Sequence, residues 1–254
     1  MNYTCHSRPT RRRCDAILLL RGVVRSVNPW LVKARSLARR TGLIGLIHRL
    51  RPAGSYEGRV RQALTAAVRP GDAVWDVGAN VGLYSELFCR WVGNSGSVVA
   101  FEPCLESCER LRQRLPDCAW LQVENVALGE SDTTGRLVTG EASVENHIAT
   151  GSDQQDASLQ TVPVTICRGD SLCNRLGRIP NVVKVDVEGF EEEVLLGMGE
   201  LLASPLLRCL LVEVHFKTLE KRGRAMAPVR IEKRLAGNGF RTRWVDASHL
   251  FAKR

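Results

Sequence analysis

The segment Asp76-Val77-Gly78-Ala79-Asn80-Val81-Gly82 constrains the fold more than any other stretch of the chain. It ends the apolar run Ala73-Val74-Trp75-Asp76-Val77, which follows the turn Arg69-Pro70-Gly71-Asp72 and reads as a buried strand. It opens a stretch of helical periodicity over 81–91. A strand, a glycine turn and a helix form the first half of a βαβ unit. The glycines admit a close backbone approach that a Cβ forbids. The helix N-terminus turns free N–H groups and the positive end of its dipole toward whatever sits there.

The rest of the chain repeats the pattern. A helix over 57–69 leads into the first strand. Val98-Val99-Ala100-Phe101 reads as a second strand, 104–115 as a helix and 120–128 as a third strand. Val182 to Asp186 gives a fourth, followed by a helix over 189–203, a strand over 207–214 and a helix near 228–238. Residues 240–245 and 249–252 suit a closing antiparallel hairpin. This alternation predicts an α/β fold, a Rossmann-like doubly wound and mostly parallel sheet. Residues 130–165 break the rhythm with Gly, Ser, Thr and Asp, and with short β-like pieces at 136–139 and 161–166. We read this segment as a β or loop insertion.

Charge divides the chain in two. Residues 1–52 hold 12 of the 36 Lys and Arg but only one of the 27 Asp and Glu, so the remaining 24 basic and 26 acidic residues leave the body near neutral. We expect residues 1–54 to be a basic extension, frayed over 1–14 and carrying one or two short amphipathic helices over 15–51. Residues 55–254 form the main domain. A near-neutral body argues against a nucleic-acid groove. The arm suits weak contact with an anionic membrane surface or a solvated packing face. No apolar run reaches about 18 residues, the length a membrane span requires. The nine cysteines form no Cys-x-x-Cys pair, which disfavours a zinc or disulfide framework and suits a reducing cytoplasm. Nothing specifies an oligomeric state.

The ligand can be narrowed from the turn itself. A nicotinamide-binding turn carries Gly-x-Gly-x-x-Gly, with the pyrophosphate on the helix N–H groups. Here the spacing is Gly-x-x-x-Gly, and Asp76 precedes the first glycine by two residues. A carboxylate at that edge repels a pyrophosphate but suits the ammonium and sulfonium of S-adenosylmethionine. On this reading Asp76, Gly78, Ala79, Asn80 and Gly82 cradle the cofactor. Glu102, at the end of the second strand, grips its ribose diol, and Asn125 and Val126 border the adenine.

These residues resemble the FkbM family of methyltransferases. The resemblance is carried by residues 76–85, by Ala100-Phe101-Glu102-Pro103 and by Asn125-Val126-Ala127-Leu128-Gly129. Its most particular piece is Val183-Lys184-Val185-Asp186-Val187-Glu188-Gly189-Phe190-Glu191, followed by Leu211-Val212-Glu213-Val214-His215. It runs from about residue 55 to the C-terminus. It implies a class I methyltransferase fold and O-methylation of a hydroxyl on a sugar, glycan, polyketide or related metabolite.

Methyl transfer to an alcohol needs positioning and a group to take the hydroxyl proton. Asp186 and Glu188 end the fourth strand, and Glu213 and His215 end the fifth. The i,i+2 spacing points each pair to one face beside the cofactor. His215 is the first candidate for the base because an imidazole titrates near neutrality. Asp186 is the second, or it orients the acceptor or the cofactor's amino group. Lys184 is the expected partner of the buried Asp186. The cluster has donors for Mg, Mn or Zn, but nothing in its spacing demands a metal and none is assigned. Asn146 and His147 in the insertion are weaker candidates for touching a sugar, and Tyr56 and Glu57 for covering the cofactor. An RNA 2′-O-methyltransferase would welcome the basic arm but wants a Lys upstream of the glycine turn, and residues 53–75 contain none. A non-catalytic scaffold would not need an intact glycine turn with Glu102.

Overall fold

The computed structural model describes residues 55–139, 146–149 and 158–254. The frayed end and amphipathic helices expected over 1–54 lie outside them.

Helix α1 (Ser55–Thr65) packs Val60 and Leu64 against the sheet. It stops earlier than the periodicity suggested, because the chain tightens into a turn in which Ala67 N–H donates to Leu64 O at 2.9 Å. Strand β1 (Ala73–Val77) is buried along its whole length. It is followed by α2 (Leu83–Val92), β2 (Ser97–Phe101), α3 (Leu105–Arg114) and β3 (Leu121–Glu124). Beyond the insertion come α4 (Gly169–Leu176), β8 (Val182–Val185), α5 (Glu191–Leu196), α6 (Gly199–Ala203) and β9 (Cys209–Glu213). The chain closes with α7 (Phe216–Lys221), α8 (Ala227–Gly237), β10 (Arg241–Trp244) and β11 (His249–Lys253).

The seven-stranded sheet runs β10-β11-β9-β8-β1-β2-β3. Its central pairs are parallel, and β11 joins β9 and β10 antiparallel, as expected for the closing hairpin. Alternation along each strand feeds two cores. Trp75, Val77, Val99, Val183 and Val212 face α5 to α8. Val74, Val98, Val182 and Leu211 face α1 and α2. Each fully buried Val or Leu contributes about 1.5–3 kcal/mol, so the central strands fix the frame. From β1 the chain winds outward to β2 and β3, then returns to β8 on the other side. The crevice at the C-terminal ends of β1 and β8 is therefore the topological switch point.

The insertion builds a second sheet. Strands β4 (Ala127–Gly129), β5 (Thr133–Val138), β6 (His147–Ile148) and β7 (Thr161–Arg168) lie in the order β4-β7-β5-β6. Its inner residues Ala127, Leu137, Ile148, Val164 and Ile166 pack with Cys104 and Phe190 into a small core of their own.

Three expectations need correction. The strand expected over 120–128 is two strands in two sheets, because Asn125 interrupts it. Its Nδ2 donates to the carbonyls of Glu102 and Pro103, at 2.9 Å each. The single helix expected over 189–203 breaks at Gly197-Met198. A Cβ on Gly197 would sit 1.9 Å from the Gly129 carbonyl oxygen, so the helix bends where β4 passes against it. Helices α4 and α7 had no counterpart in the sequence reading. Buried Asp170 on α4 supports α6, its carboxylate accepting from the N–H groups of Glu200 (3.2 Å) and Leu201 (3.1 Å).

Candidate active site

The glycine turn lies at the switch point. Gly78, Asn80 and Gly82 have φ values of 76°, 49° and 84°. A Cβ on Gly78 would fall 1.8 Å from the Asp186 carbonyl oxygen, and one on Gly82 would fall 2.7 Å from Leu111 Cγ. The sequence reading attributed these glycines to the approach of a ligand. In the structure they let the turn press against the end of β8 and the flank of α3. Asp186 N–H in turn donates to Val77 O at 2.9 Å, which carries the β1–β8 ladder to the edge of the site.

Between the turn and the second sheet opens a cleft with about 740 Å³ of empty space, its open mouth included. Gly78, Asn80 and Glu102 line one side. Phe101, Val126, Leu128 and Phe190 form apolar walls, Asn146, His147 and Ile148 come from the insertion, and Asp186 and Glu188 add two further carboxylates to the lining. Glu102 is only 6% exposed. Its Oε2 accepts from Asn80 N–H at 2.9 Å and its Oε1 from Cys104 N–H at 2.8 Å. Burial raises its pKa, against the lowering effect of those two bonds. A carboxylate oxygen accepts two hydrogen bonds, so each keeps one lone pair for a ligand hydroxyl.

Not every sequence candidate reaches the cleft. Asp76 is fully buried, and alternation along β1 points it toward α2. Its Oδ2 accepts from Ser85 Oγ at 2.7 Å and its Oδ1 from Lys184 Nζ at 3.1 Å. The carboxylate expected to meet a cationic ligand already has a cation. Ala79 packs on Ala100 and Leu111, and the Asn125 amide is spent on the carbonyls of Glu102 and Pro103, just past β2. Tyr56 and Glu57 fall in α1, but their side chains lie outside the described residues.

Beside the cleft an ionic cluster gathers five of the predicted residues, Asp76, Lys184, Asp186, Glu188 and His215. Lys184 joins Asp76 to Asp186, with Nζ 3.5 Å from Asp186 Oδ2. Burial opposes its charge, but Asp76 and Asp186 outweigh that effect and raise its pKa. His215, at the N-terminus of α7, has Nε2 3.3 Å from Glu188 Oε2 and 3.6 Å from Asp186 Oδ1. Its Nδ1 lies 2.6 Å from Oε1 of Glu191, which is fully buried. Glu188 (φ 50°) and Gly189 (φ 96°) form a left-handed turn, and Arg222 ties it down through the Gly189 carbonyl. Glu188 therefore reaches His215 from a turn and not from a strand face, as the i,i+2 spacing had implied. Burial raises the Asp186 pKa, with Glu213 and Glu188 adding to it and Lys184 and His215 opposing.

At His215 two carboxylates compete with burial. Burial works against its charge, yet hydrogen bonds to Glu188 and Glu191 overcome it and push its pKa up to about 11. Glu213 turns from this cluster toward His249, whose Nε2 lies 3.2 Å away, and His249 Nδ1 lies 2.9 Å from Asp246 Oδ2. The sequence reading assigned no role to Glu191, Asp246 or His249. Glu191 had a signal, since it closes the Lys-x-Asp-x-Glu-Gly-x-Glu segment.

The profile of the methyltransferase FkbM domain matches residues 76–242. The chain belongs to the FkbM methyltransferase family. It is 32% identical over 205 residues to the hexuronic acid methyltransferase AglP of Haloferax volcanii, covering 79% of this chain and 80% of that protein. Among solved structures it resembles methyltransferase FkbM from Methylobacillus flagellatus KT, with a TM-score of 0.50 and 13% identity, over 96% of this chain and 59% of that one. The chain thus spans little more than half of that protein, and the likeness supports the fold alone. As an FkbM methyltransferase the chain uses S-adenosylmethionine as methyl donor. The lining is chemically compatible with that molecule, since it sets the buried Glu102 carboxylate, an acceptor for hydroxyls, beside apolar side chains. No helix among the described residues is long and apolar enough to cross a membrane.

Proposed function

We propose that this enzyme methylates a hydroxyl of a sugar or glycan, with a uronic-acid-containing acceptor as the first candidate. The observation that carries this reading is one continuous cleft lined by Glu102, by apolar walls and by the carboxylates of Asp186 and Glu188. Similarity to a protein named for hexuronic acid supports the acceptor class. A hydroxyl suits this lining better than a carboxylate would, because Asp186 and Glu188 repel a second anion at short range and accept a hydroxyl proton.

Bound S-adenosylmethionine supplies an electrophilic methyl group on a good leaving group. The residues of the chain hold the acceptor in line and receive its proton. Glu102 anchors the ribose. Asp186, made more basic by burial, takes the proton from the acceptor hydroxyl. Lys184 holds Asp186 in place and balances Asp76 beneath it. His215 and Glu191 fix Glu188 at the edge of the cleft. Asn146 and His147, carried in by the second sheet, contact the sugar ring. In this reading residues 55–254 are the catalytic domain, and 1–54 is a basic extension that brings a cytoplasmic enzyme against an anionic membrane surface.

The test is transfer of a labelled methyl group from S-adenosylmethionine to a glucuronic-acid-terminated oligosaccharide, with the neutral oligosaccharide and RNA in parallel. Label in the uronic acid product, stable to mild base as an ether is, supports the reading. Label that mild base removes assigns the acceptor to the carboxyl group. Label in RNA alone rejects the reading.

A further inference from the structure

We propose that Asp186, Glu188 and His215 form a binding site for one divalent cation, of the Mn²⁺ type, beside the cleft. One ligand atom from each residue lies within 4.8 Å of the others, with Nε2 3.3 Å from Glu188 Oε2 and 3.6 Å from Asp186 Oδ1. Adjacent ligands of an octahedral ion at about 2.1–2.2 Å stand about 3 Å apart. The three groups therefore need only small side-chain rotations to close on an ion.

Glu191 supplies the independent observation. It is fully buried against the cluster; its Oε1 accepts from Gly189 N–H at 2.8 Å, and its Oε2 has no hydrogen-bond partner among the described residues. That oxygen is a buried acceptor on the Nδ1 side of the imidazole. Oε1 also holds His215 Nδ1 at 2.6 Å, which turns Nε2 toward Asp186 and Glu188. Metal-binding histidines are oriented in this way by a carboxylate on the second ring nitrogen. The charges agree. Asp186, Glu188 and Glu191 surround one imidazole, while Lys184, the nearest ammonium, is shared with Asp76. A dication seated between them displaces the Nε2 proton to solvent and offsets two of the three negative charges.

Two carboxylates and one imidazole suit Mn²⁺ better than Ca²⁺, which takes oxygen ligands, or a thiolate-seeking ion. Three protein ligands leave positions open. Because Asp186 and Glu188 line the cleft, those positions face the bound acceptor. Asp186 ligates through Oδ1, which leaves Oδ2 beside Lys184 to take the hydroxyl proton. That the open positions receive an acceptor oxygen rests on the sugar-methylation reading. The binding of the ion does not.

The experiment is a titration of the metal-stripped full chain with Mn²⁺, followed by the loss of the free-ion signal in electron paramagnetic resonance. Competition with Mg²⁺ and Zn²⁺ is measured in the same cell. We expect one Mn²⁺ per chain, and affinity reduced at least tenfold in Glu188→Gln and in Asp186→Asn. The surface variant Asp132→Asn should bind as the wild type does, and circular dichroism establishes that each variant is folded. Absence of binding, or binding that Glu188→Gln and Asp186→Asn leave unchanged, overturns the site. If Mn²⁺ binds as expected but no uronic-acid product is labelled with or without it, the site stands and the acceptor assignment falls. If the product is labelled equally with a chelator present and no ion binds, the acceptor assignment stands and the site falls.

Discussion

Lys184 Nζ lies 3.1 Å from Asp76 Oδ1 on the neighbouring strand, and the two residues are paired in register across β8 and β1. Both are almost wholly buried. Removing one charge leaves the other unpaired in a site that excludes water. Lys184→Met should therefore cost about 3–5 kcal/mol of stability. The double variant Lys184→Met with Asp76→Asn should recover part of that loss. Urea denaturation of the four proteins measures the coupling, and additive losses would mean that the pair contributes nothing as a pair.

Glu102 combines two tasks, since it caps backbone N–H groups of the turn and faces the cleft. Glu102→Ala should weaken S-adenosylmethionine binding by about 30- to 100-fold, corresponding to the loss of two charge-assisted hydrogen bonds. Isothermal titration reads the affinity. Equal affinity in variant and wild type would remove Glu102 from the cofactor site.

His215 is placed beside Asp186 and Glu188. His215→Ala should leave cofactor affinity within about twofold and lower kcat by about 100-fold. Glu191→Gln, which touches no ligand, should lower kcat less and leave the KM for cofactor unchanged. A His215 variant that loses cofactor affinity while keeping kcat would reverse the assignment.

His249 sits between Glu213 and Asp246. Burial opposes its charge, but these two carboxylates overcome it and push its pKa up to about 9 from an ordinary 6.5. Because the folded value is the higher one, its stabilisation is complete below about pH 6.5 and fades as pH rises through about 9. The difference in melting temperature between wild type and His249→Gln should correspond to about 1–3 kcal/mol at pH 6 and nearly vanish by pH 10. A difference that grows with pH would show that the histidine is neutral in the fold.

The main sheet was legible in the sequence because its strands carry their own punctuation. β1 follows Pro70-Gly71 and ends in the glycine turn, and its bounds were read without error. The elements that escaped are those whose reason for existing is remote in sequence. Asp170 looks like a loop residue until α6, thirty positions on, is seen to rest on its carboxylate. His249 acquires a role only through the β11–β9 register, which sets it directly across from Glu213. The acids at the end of β8 were identifiable by type and spacing. That Asp76 faces away from the cleft, and that three carboxylates converge on His215, depends on which strand neighbours which and on a left-handed turn at Glu188-Gly189. Neither is written in local pattern.

The second sheet closes over its own small core, completed by Cys104 and Phe190 at the N-termini of α3 and α5. It carries Asn146, His147 and Ile148 to the cleft on its outermost strand. The cleft is thus walled from two sheets: the parallel frame sets where Gly78, Glu102 and Asp186 stand, and the smaller sheet supplies the residues that face them.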